Sequence, residues 1–366
     1  MDNLEKGYPM VEVDLKKLRH NIDKIVDMCK EQGIDVAGVF KGFNGLPPGI
    51  KTFEESECTY IGSSRLDQIE AAIKSGIRAK PYMLIRVPMM SEVKDVIRLT
   101  DISLNSEVAI LRALNEEARA QAKVHKVILM VDLGDLREGF WDKGELLEAA
   151  LMVENDMANL ELAGIGTNLG CYGSVVTTVE KMEELIRDGE NIEEAIGRKL
   201  EIFSGGTTLS LPLVMNKTMP ARINNLRIGE GIILAKDLKD LLGYDMSFLY
   251  QDIFTLKAEV IEVKNKPSHP VGELAFDAFG NVRTYEDRGI RKRALLGLGK
   301  VDFAFPEQLY PRDVGVEILG ASSDHLIIDI QDSKRSFQVG DIMEFDLCYA
   351  TLVYVTNTPG VRIVYK

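Results

Sequence analysis

The sequence is poor in the residues that build disulfides and metal centres. Its four cysteines, Cys29, Cys58, Cys171 and Cys348, lie far apart and form no CxxC pair, and its four histidines are scattered. Free thiols in a reducing compartment are therefore expected. No zinc or iron site is predicted.

Long apolar runs and an excess of positive charge are also absent. No segment approaches the roughly 20 apolar residues that cross a bilayer, and residues 1–6 carry no apolar leader. We therefore expect no membrane association and a cytoplasmic location. The net charge of -13 over 366 residues argues against nucleic-acid binding, which needs clustered Lys and Arg. Small molecules are the expected ligands.

Short apolar runs alternate with helical patterns through the first two thirds of the chain. Eight runs begin at Val36, Thr59, Tyr82, Ile102, Val127, Leu160, Leu200 and Asn225. Such alternation predicts parallel strands with crossover helices, here a closed (β/α)8 barrel. From 248 onward, short strands follow one another without helices. The predicted domains are a barrel at 1–247, with a short N-terminal strand and helix, and a mainly β domain at 248–366.

The first apolar run, Asp35 to Phe40, ends in Lys41 and a glycine-rich turn. Chemistry in an α/β barrel lies where strands end in this way. An amine held there loses hydration, which lowers its pKa and makes it a better nucleophile or base. A lysine that only ends the strand and extends to water would give the same pattern.

Two glycine-rich turns follow the seventh and eighth predicted strands, Ser204 to Thr208 and Gly229 to Gly231. Barrels recurrently bind phosphate at this position, although a helix cap or tight turn explains either motif taken singly. A lysine together with a phosphate site predicts pyridoxal phosphate, held as a Schiff base on Lys41. Arg227 would lie beneath the ring, where its permanent charge keeps the pyridine nitrogen unprotonated.

The chain resembles the alanine racemase type (fold type III) of pyridoxal-phosphate enzymes over nearly its whole length. The matching barrel segments are Lys41, Arg137-Glu138-Gly139-Phe140, Ser204-Gly205-Gly206 and Leu226-Arg227-Ile228-Gly229. In the second domain, Ile318 to Asp324 is similar to the family's partner-facing loop. Lys264-Asn265-Lys266-Pro267 and Asp277-Ala278-Phe279-Gly280 look closest to the ornithine racemase branch.

The resemblance implies a role for each matching residue. Lys41 would be the Schiff-base lysine and one of two proton carriers, while Arg137 would support the ring oxygen. Phosphate would be held by Ser204, by the backbone of Gly229 and Glu230, and by Tyr354. The implied cofactor-binding residues are Lys41, Arg137, Asn168, Ser204, Gly205, Arg227, Gly229, Glu230 and Tyr354. The partner-facing loop implies a homodimer with composite sites.

Three positions depart from the family pattern. Gly45 stands where alanine racemases carry a tyrosine, and Asn168 stands where they carry a histidine. The family's second base, a tyrosine of the partner subunit, has no counterpart in the segment 271–277. Glu273 aligns best with it and Asp277 lies close by. A carboxylate can act as this base if burial raises its pKa, although ordinary turn positions explain both residues equally well.

Other polar residues of the second domain remain candidates. Tyr285 and Tyr310 are alternative second bases. Ser323 and Asp324 are candidates for substrate binding, although a turn between two strands also explains them.

These features predict a two-base amino-acid racemase that depends on pyridoxal phosphate. A basic substrate such as ornithine or lysine is expected from the branch resemblance, and Glu273, Asp277 and Asp324 offer carboxylates to a distal ammonium. An alanine or broad-specificity racemase is one alternative. A non-catalytic pyridoxal-phosphate carrier is another, although a carrier needs no partner-supplied base. A metal-dependent aldolase or dehydratase on this scaffold would need a His/Cys pair near the C-terminus, and the sequence has none there.

Overall fold

The computed structural model describes residues 7–366. The chain forms two compact units, one of Lys17–Tyr250 and one that joins the residues up to Lys16 with Gln251–Lys366. Residues 1–6, on which the expectation of no leader segment depends, lie outside the described range. The predicted domain boundary, between residues 247 and 248, lies three residues before the division between Tyr250 and Gln251.

The first unit contains a closed barrel of eight parallel strands, as predicted. The strands are β2 (Asp35–Val39), β3 (Tyr60–Ser63), β4 (Tyr82–Leu84), β5 (Ile102–Asn105), β6 (His125–Val131), β7 (Leu160–Thr167), β8 (Ile202–Ser204) and β9 (Asn225–Ile228). Strand β9 pairs with β2 and closes the barrel. Each strand starts within two residues of its predicted start, because strands covered on both faces are continuous apolar runs.

Helices alternate with these strands. They are α1 (Leu15–Lys30), α2 (Pro47–Glu54), α3 (Leu66–Lys74), α4 (Val93–Leu99), α5 (Val108–Ala120), α6 (Lys143–Asp156), α7 (Val179–Ile196), α8 (Leu211–Met215), α9 (Glu230–Ile233) and α10 (Asp237–Leu242). The longest, α7, begins where the Thr178 hydroxyl accepts a hydrogen bond from the Lys181 amide and ends at Gly197 in the left-handed conformation. No helix in the described part of the chain has the length and apolarity that a bilayer crossing requires.

Apolar side chains fill the barrel. One buried cluster takes its members from six of the eight strands: Ala37, Met83, Ile102, Leu104, Ile128, Met130, Ala163 and Ile202. Because these strands surround the barrel axis, the cluster is a packed interior and leaves the strand ends as the place for chemistry.

The second unit is built on an eight-stranded sheet. Its strands are β1 (Met10–Val13), β10 (Phe254–Pro267), β11 (Ile290–Leu296), β12 (Leu309–Pro311), β13 (Glu317–Ala321), β14 (Leu326–Asp329), β15 (Ile342–Leu347) and β16 (Arg362–Tyr365). Strand β1, grouped with the barrel by sequence, pairs antiparallel to β10 and parallel to β16. This unit also contains two short helices that were not predicted, α11 (Lys300–Phe303) and α12 (Tyr349–Val355).

Candidate active site

Four polar residues lie at or just beyond the carboxyl ends of adjacent barrel strands. Lys41 lies two residues beyond β2, Arg227 lies on β9, Ser204 ends β8 and Asn168 follows β7. The ladder pairs β7 with β8, β8 with β9, and β9 with β2. The barrel therefore places these side chains along one continuous part of its rim.

Arg227 is buried and held from two sides. Its guanidinium donates to the Ser204 hydroxyl and, through Nη2, to the Thr167 carbonyl at 2.7 Å. The Ser204 hydroxyl in turn donates to Asn225 Oδ1 at 2.5 Å. Burial lowers the pKa of Arg227 to about 10, and the nearby Glu138 and Cys171 oppose that fall. Arg227 therefore carries its charge at neutral pH in a fixed orientation.

Lys41 begins a 3₁₀ turn at Lys41–Phe43, which ends at Asn44 in the left-handed conformation. Burial lowers the pKa of its amine. Arg137 and Arg227 lower it further, whereas Cys171 and Glu138 raise it. A lowered pKa increases the share of neutral amine at neutral pH, which a nucleophile or proton acceptor requires.

A tight loop after β6 presents Arg137. The Phe140 amide donates to the Met130 carbonyl at 2.8 Å, and Asp132 accepts the Gly134 amide at 2.8 Å. Gly139 has a φ of +134°, and a Cβ there would lie 2.3 Å from the Asp132 nitrogen. Only glycine fits this close approach. The loop therefore fixes the position from which the Arg137 side chain extends.

The loop after β7 carries the thiol of Cys171. Asp135 accepts hydrogen bonds from the amides of Gly170, Cys171, Tyr172 and Val175 at 2.8 to 3.3 Å. Although burial raises the pKa of Asp135, these amides hold it below its usual value. Cys171 is exposed. Its electrostatic effect raises the pKa of three nearby cations, Lys41, Arg137 and Arg227.

The two glycine turns offer free backbone donors. Within residues 7–366, the amides of Gly206, Gly229 and Glu230 donate no hydrogen bond. A Cβ on Gly205 would lie 2.5 Å from Ile223 Cγ2, and Gly206 has a φ of +112°. Both positions therefore favour glycine for close packing and backbone conformation. The turns can accept an anion through their amides.

Glu230 carries a buried carboxyl beside these amides. Its Oε1 accepts the amides of Lys236 and Asp237 at 2.9 and 3.1 Å, whereas Oε2 has no partner among the described residues. Burial, with a smaller contribution from Asp237, raises the pKa of Glu230 to about 7. Below pH 7 the folded protein therefore favours the neutral acid.

Substitution of Glu230 with Gln is expected to remove a pH dependence of stability. The raised pKa means that the stabilising contribution is fully present below pH 4.5 and is lost as the pH rises towards 7. The loss amounts to roughly 3 kcal/mol. In urea unfolding of the cofactor-free protein, Glu230→Gln should match the wild type near pH 4.5 and exceed it in stability at pH 8.

Glu154→Gln is the control for this titration. Arg198 lowers the pKa of Glu154 through a two-point ion pair, so this variant should instead lose stability at neutral pH. Equal pH profiles for Glu230→Gln and the wild type would contradict the raised pKa.

The remaining predicted site residues lie in the second unit. Asp277 accepts the amides of Phe279 and Asn281 at 2.9 Å and Arg283 Nε at 3.0 Å. The Asn281 amide is the largest of the causes that hold its pKa far below the usual range. These contacts favour a structural role in a turn over a role as proton acceptor. Glu273 is exposed and forms no ion pair within the described residues.

Three further candidates also belong to this unit. The Ser323 hydroxyl donates to Asp324 Oδ2 at 2.6 Å, in the turn between β13 and β14. Tyr354 lies on α12, half-exposed, with its ring edge-on to Phe305 at a centroid distance of 5.6 Å. Their predicted binding roles stay predictions.

The fold and the barrel rim define a class of protein, an α/β barrel with a buried guanidinium beside a partly desolvated lysine. The family model for the alanine racemase N-terminal domain matches residues 13–236. An ornithine racemase of Acetoanaerobium sticklandii is 40% identical over 346 residues, which cover 94% of this chain and 96% of that protein. A lysine racemase of Thermotoga maritima is 38% identical over 359 residues, with coverages of 98% and 99%.

The chain therefore belongs to the alanine racemase family. Its fold is similar to the crystal structure of an alanine racemase from a D-cycloserine-producing Streptomyces lavendulae, with a TM-score of 0.75 at 17% identity over 98% of both chains. The predicted family, the barrel with a C-terminal β domain, and the class of enzyme, a racemase and hence an isomerase, are confirmed.

Several residues of the rim were not singled out from the sequence. Asp135 and Cys171 lie in loops whose conformation no periodic pattern reveals. Asn225 shares a strand with Arg227, two positions earlier, and this spacing places both side chains on one face. That spacing is the one sequence signal that could have identified it.

Proposed function

We propose that this chain is a pyridoxal-phosphate-dependent racemase of basic amino acids, with ornithine and lysine as its preferred substrates. The carrying observation is the pair of Lys41, whose pKa burial lowers, and Arg227, which is buried on the adjacent strand. A reactive amine and a permanently charged guanidinium at neighbouring strand ends suit pyridoxal-phosphate-dependent racemisation. The names of the two relatives with near-complete coverage support the substrate class.

The residues of the rim fit the cofactor. The free amides of Gly206, Gly229 and Glu230 suit a phosphate. Asn168 is buried, and its Nδ2 has no partner among the described residues, so it has a donor to offer. The Ser204 hydroxyl already links Arg227 to Asn225. Its part in phosphate binding is therefore secondary to that of the amides.

Each residue then has a defined task. Lys41 would hold the cofactor through Nζ and move a proton at that atom, and Arg227 would support the ring nitrogen. Arg137 would bind an anionic oxygen, and Gly205 would keep the turn close-packed. When bound, pyridoxal phosphate supplies an electron-accepting ring that makes the α-proton of an amino acid removable. The permanent charge of Arg227 would keep the ring nitrogen unprotonated. The ring would then withdraw electrons only moderately, which would favour return of the proton.

The second proton carrier comes from the β domain of the other subunit in a cytoplasmic homodimer. Glu273 is the stronger candidate for this role, because Asp277 is already engaged in its turn. Tyr354 would assist the phosphate. Ser323 and Asp324 would meet the polar end of the substrate, where a carboxylate suits an ammonium.

The direct test is racemisation by the purified enzyme supplied with pyridoxal phosphate. L-ornithine, L-lysine and L-alanine are incubated separately in D₂O, and the D-enantiomers and α-deuterium are measured by chiral chromatography and mass spectrometry. We expect D-ornithine and D-lysine, with alanine at least about tenfold slower, the discrimination that one good ion pair to the side chain provides.

The alternatives predict different results. Bound cofactor without turnover of any amino acid would indicate a carrier and would sink the racemase proposal. Equal rates on alanine and ornithine would indicate a broad-specificity racemase.

A further inference from the structure

One carboxylate lies among the cations of the barrel rim. Glu138 accepts two hydrogen bonds from Arg137, one from Nε and one from Nη2, the latter at 2.6 Å. Its side chain is 18% exposed. Its charge also acts on Lys41 and Arg227, raising the pKa of both. Glu138 therefore interacts electrostatically with all three cations named here, Arg137, Lys41 and Arg227.

The pair leaves one edge of the guanidinium free. Glu138 uses Nε and Nη2, whereas Nη1 of Arg137 donates no hydrogen bond to the described residues. A two-point contact fixes the plane of the guanidinium as well as its position. Nη1 is therefore presented in one direction and can donate to an anionic oxygen.

The backbone shows that this pair is built into the loop. Arg137 and Glu138 themselves lie in a bend of the chain. The turn follows at Gly139, whose φ of +134° and close approach to Asp132 exclude a side chain. Phe140 closes the loop on Met130 and Asp132 by two backbone hydrogen bonds of 2.8 and 3.1 Å. Surface ion pairs on flexible chains contribute little, but here the rigid loop reduces the entropy lost on pairing.

We propose that Glu138 is a positioning residue of the racemase site: it holds Arg137 in one orientation, with Nη1 free for an anionic oxygen of substrate or cofactor, and balances the charge around Lys41. This inference rests on the proposed function for its kinetic consequences, but not for its effect on Lys41. Removal of the carboxylate frees the guanidinium to rotate and leaves only Cys171 to oppose the effect of Arg137 and Arg227 on Lys41. Both changes can be measured separately.

The test compares Glu138→Gln, Glu138→Asp and the matched control Glu154→Gln. Glu154 forms the same two-point pair with Arg198, at 2.8 and 2.7 Å, on the same unit. In the cofactor-free protein, the pH dependence of Lys41 acylation is followed by mass spectrometry. We expect its midpoint to fall by roughly half a pH unit or more in Glu138→Gln, because a neighbouring negative charge is lost. Glu154→Gln should leave the midpoint unchanged.

The holoenzyme provides the second readout. In Glu138→Gln the KM for L-ornithine, the dissociation constant of pyridoxal phosphate, or both should rise about tenfold, the effect of one misplaced charge-assisted hydrogen bond. The constant that rises identifies the oxygen that Nη1 binds. The kcat should change less than KM, and Glu138→Asp should recover part of the loss. In a double-mutant cycle, Arg137→Gln and Glu138→Gln should be strongly non-additive.

The outcomes separate this inference from the proposed function. If the wild type racemises no amino acid, the Lys41 midpoint and cofactor affinity still test Glu138. An unchanged midpoint together with wild-type KM and cofactor affinity in Glu138→Gln would overturn the inference. Additive effects of Arg137→Gln and Glu138→Gln would overturn it as well.

Discussion

Substitution of Lys41 with alanine should abolish racemisation and the visible absorbance of lysine-bound pyridoxal phosphate together. The expected fall in turnover is at least about a thousandfold, because one residue serves as both cofactor anchor and proton carrier. The fold should persist, since the Lys41 amine donates no side-chain hydrogen bond within residues 7–366. Chiral chromatography, absorbance spectra and circular dichroism on the same preparation measure the three properties.

Lys74→Ala is the control for general effects of removing a lysine. Lys74 lies on α3, is exposed and pairs with Glu70 at 2.9 Å, so its removal should change activity less than twofold. If Lys41→Ala kept the absorbance of lysine-bound cofactor, another lysine would hold the cofactor, and the assignment of Lys41 would be wrong.

The barrel was predictable because its strands are covered on both faces. A strand such as β2 has four consecutive buried residues after Asp35, and runs of this kind stand out between amphipathic helices. The strand ends were then fixed by topology alone, which brought Lys41, Ser204 and Arg227 to one rim. Much of the barrel site therefore follows from strand order.

The second unit was less predictable because its pairings join distant segments. Strand β1 takes β10 on one side and β16 on the other, so its place depends on the last residues of the chain. Strand β12 has three residues and α11 has four, too few for any period to show. Helix α12, which carries Tyr354, was missed because its seven residues, Tyr349–Val355, have the β-branched and aromatic composition of a strand.

The electrostatics of the site could not be predicted without the conformation of its loops. Lys41 could be predicted to lose hydration, but the sequence does not show that Glu138 and Cys171 oppose its fall in pKa. The protonation state of Glu230 depends on the burial of its Oε2 atom. The sequence motif predicted only a phosphate contact through the backbone of Glu230 and gave no information about its side chain. Charges in such sites therefore have to be assigned from three-dimensional contacts.

Arg227→Met should reduce racemisation at least about a hundredfold while the cofactor remains bound to Lys41. A buried, fixed charge acts strongly on reacting groups, and loss of one such donor typically costs this much. At pH 7 the guanidinium is charged in nearly every molecule, because its pKa is lowered only to about 10. The activity loss should therefore be the same throughout the neutral range. Absorbance spectra and chiral assays of the same preparation distinguish this result from that of Lys41→Ala.

The stability of Arg227→Met should change less than its activity. The substitution leaves the Thr167 carbonyl and the Ser204 hydroxyl without a donor, which costs about 1–3 kcal/mol for each buried group. It also removes a buried charge, and the desolvation relieved offsets much of that cost. Arg227→Lys keeps the charge, but its single ammonium group cannot replace the planar guanidinium, which donates to both acceptors from separate nitrogens. Its activity should therefore lie between those of Arg227→Met and the wild type. Activity in Arg227→Met equal to that in Arg227→Lys would show that orientation of the donors, and not the charge, is what Arg227 contributes.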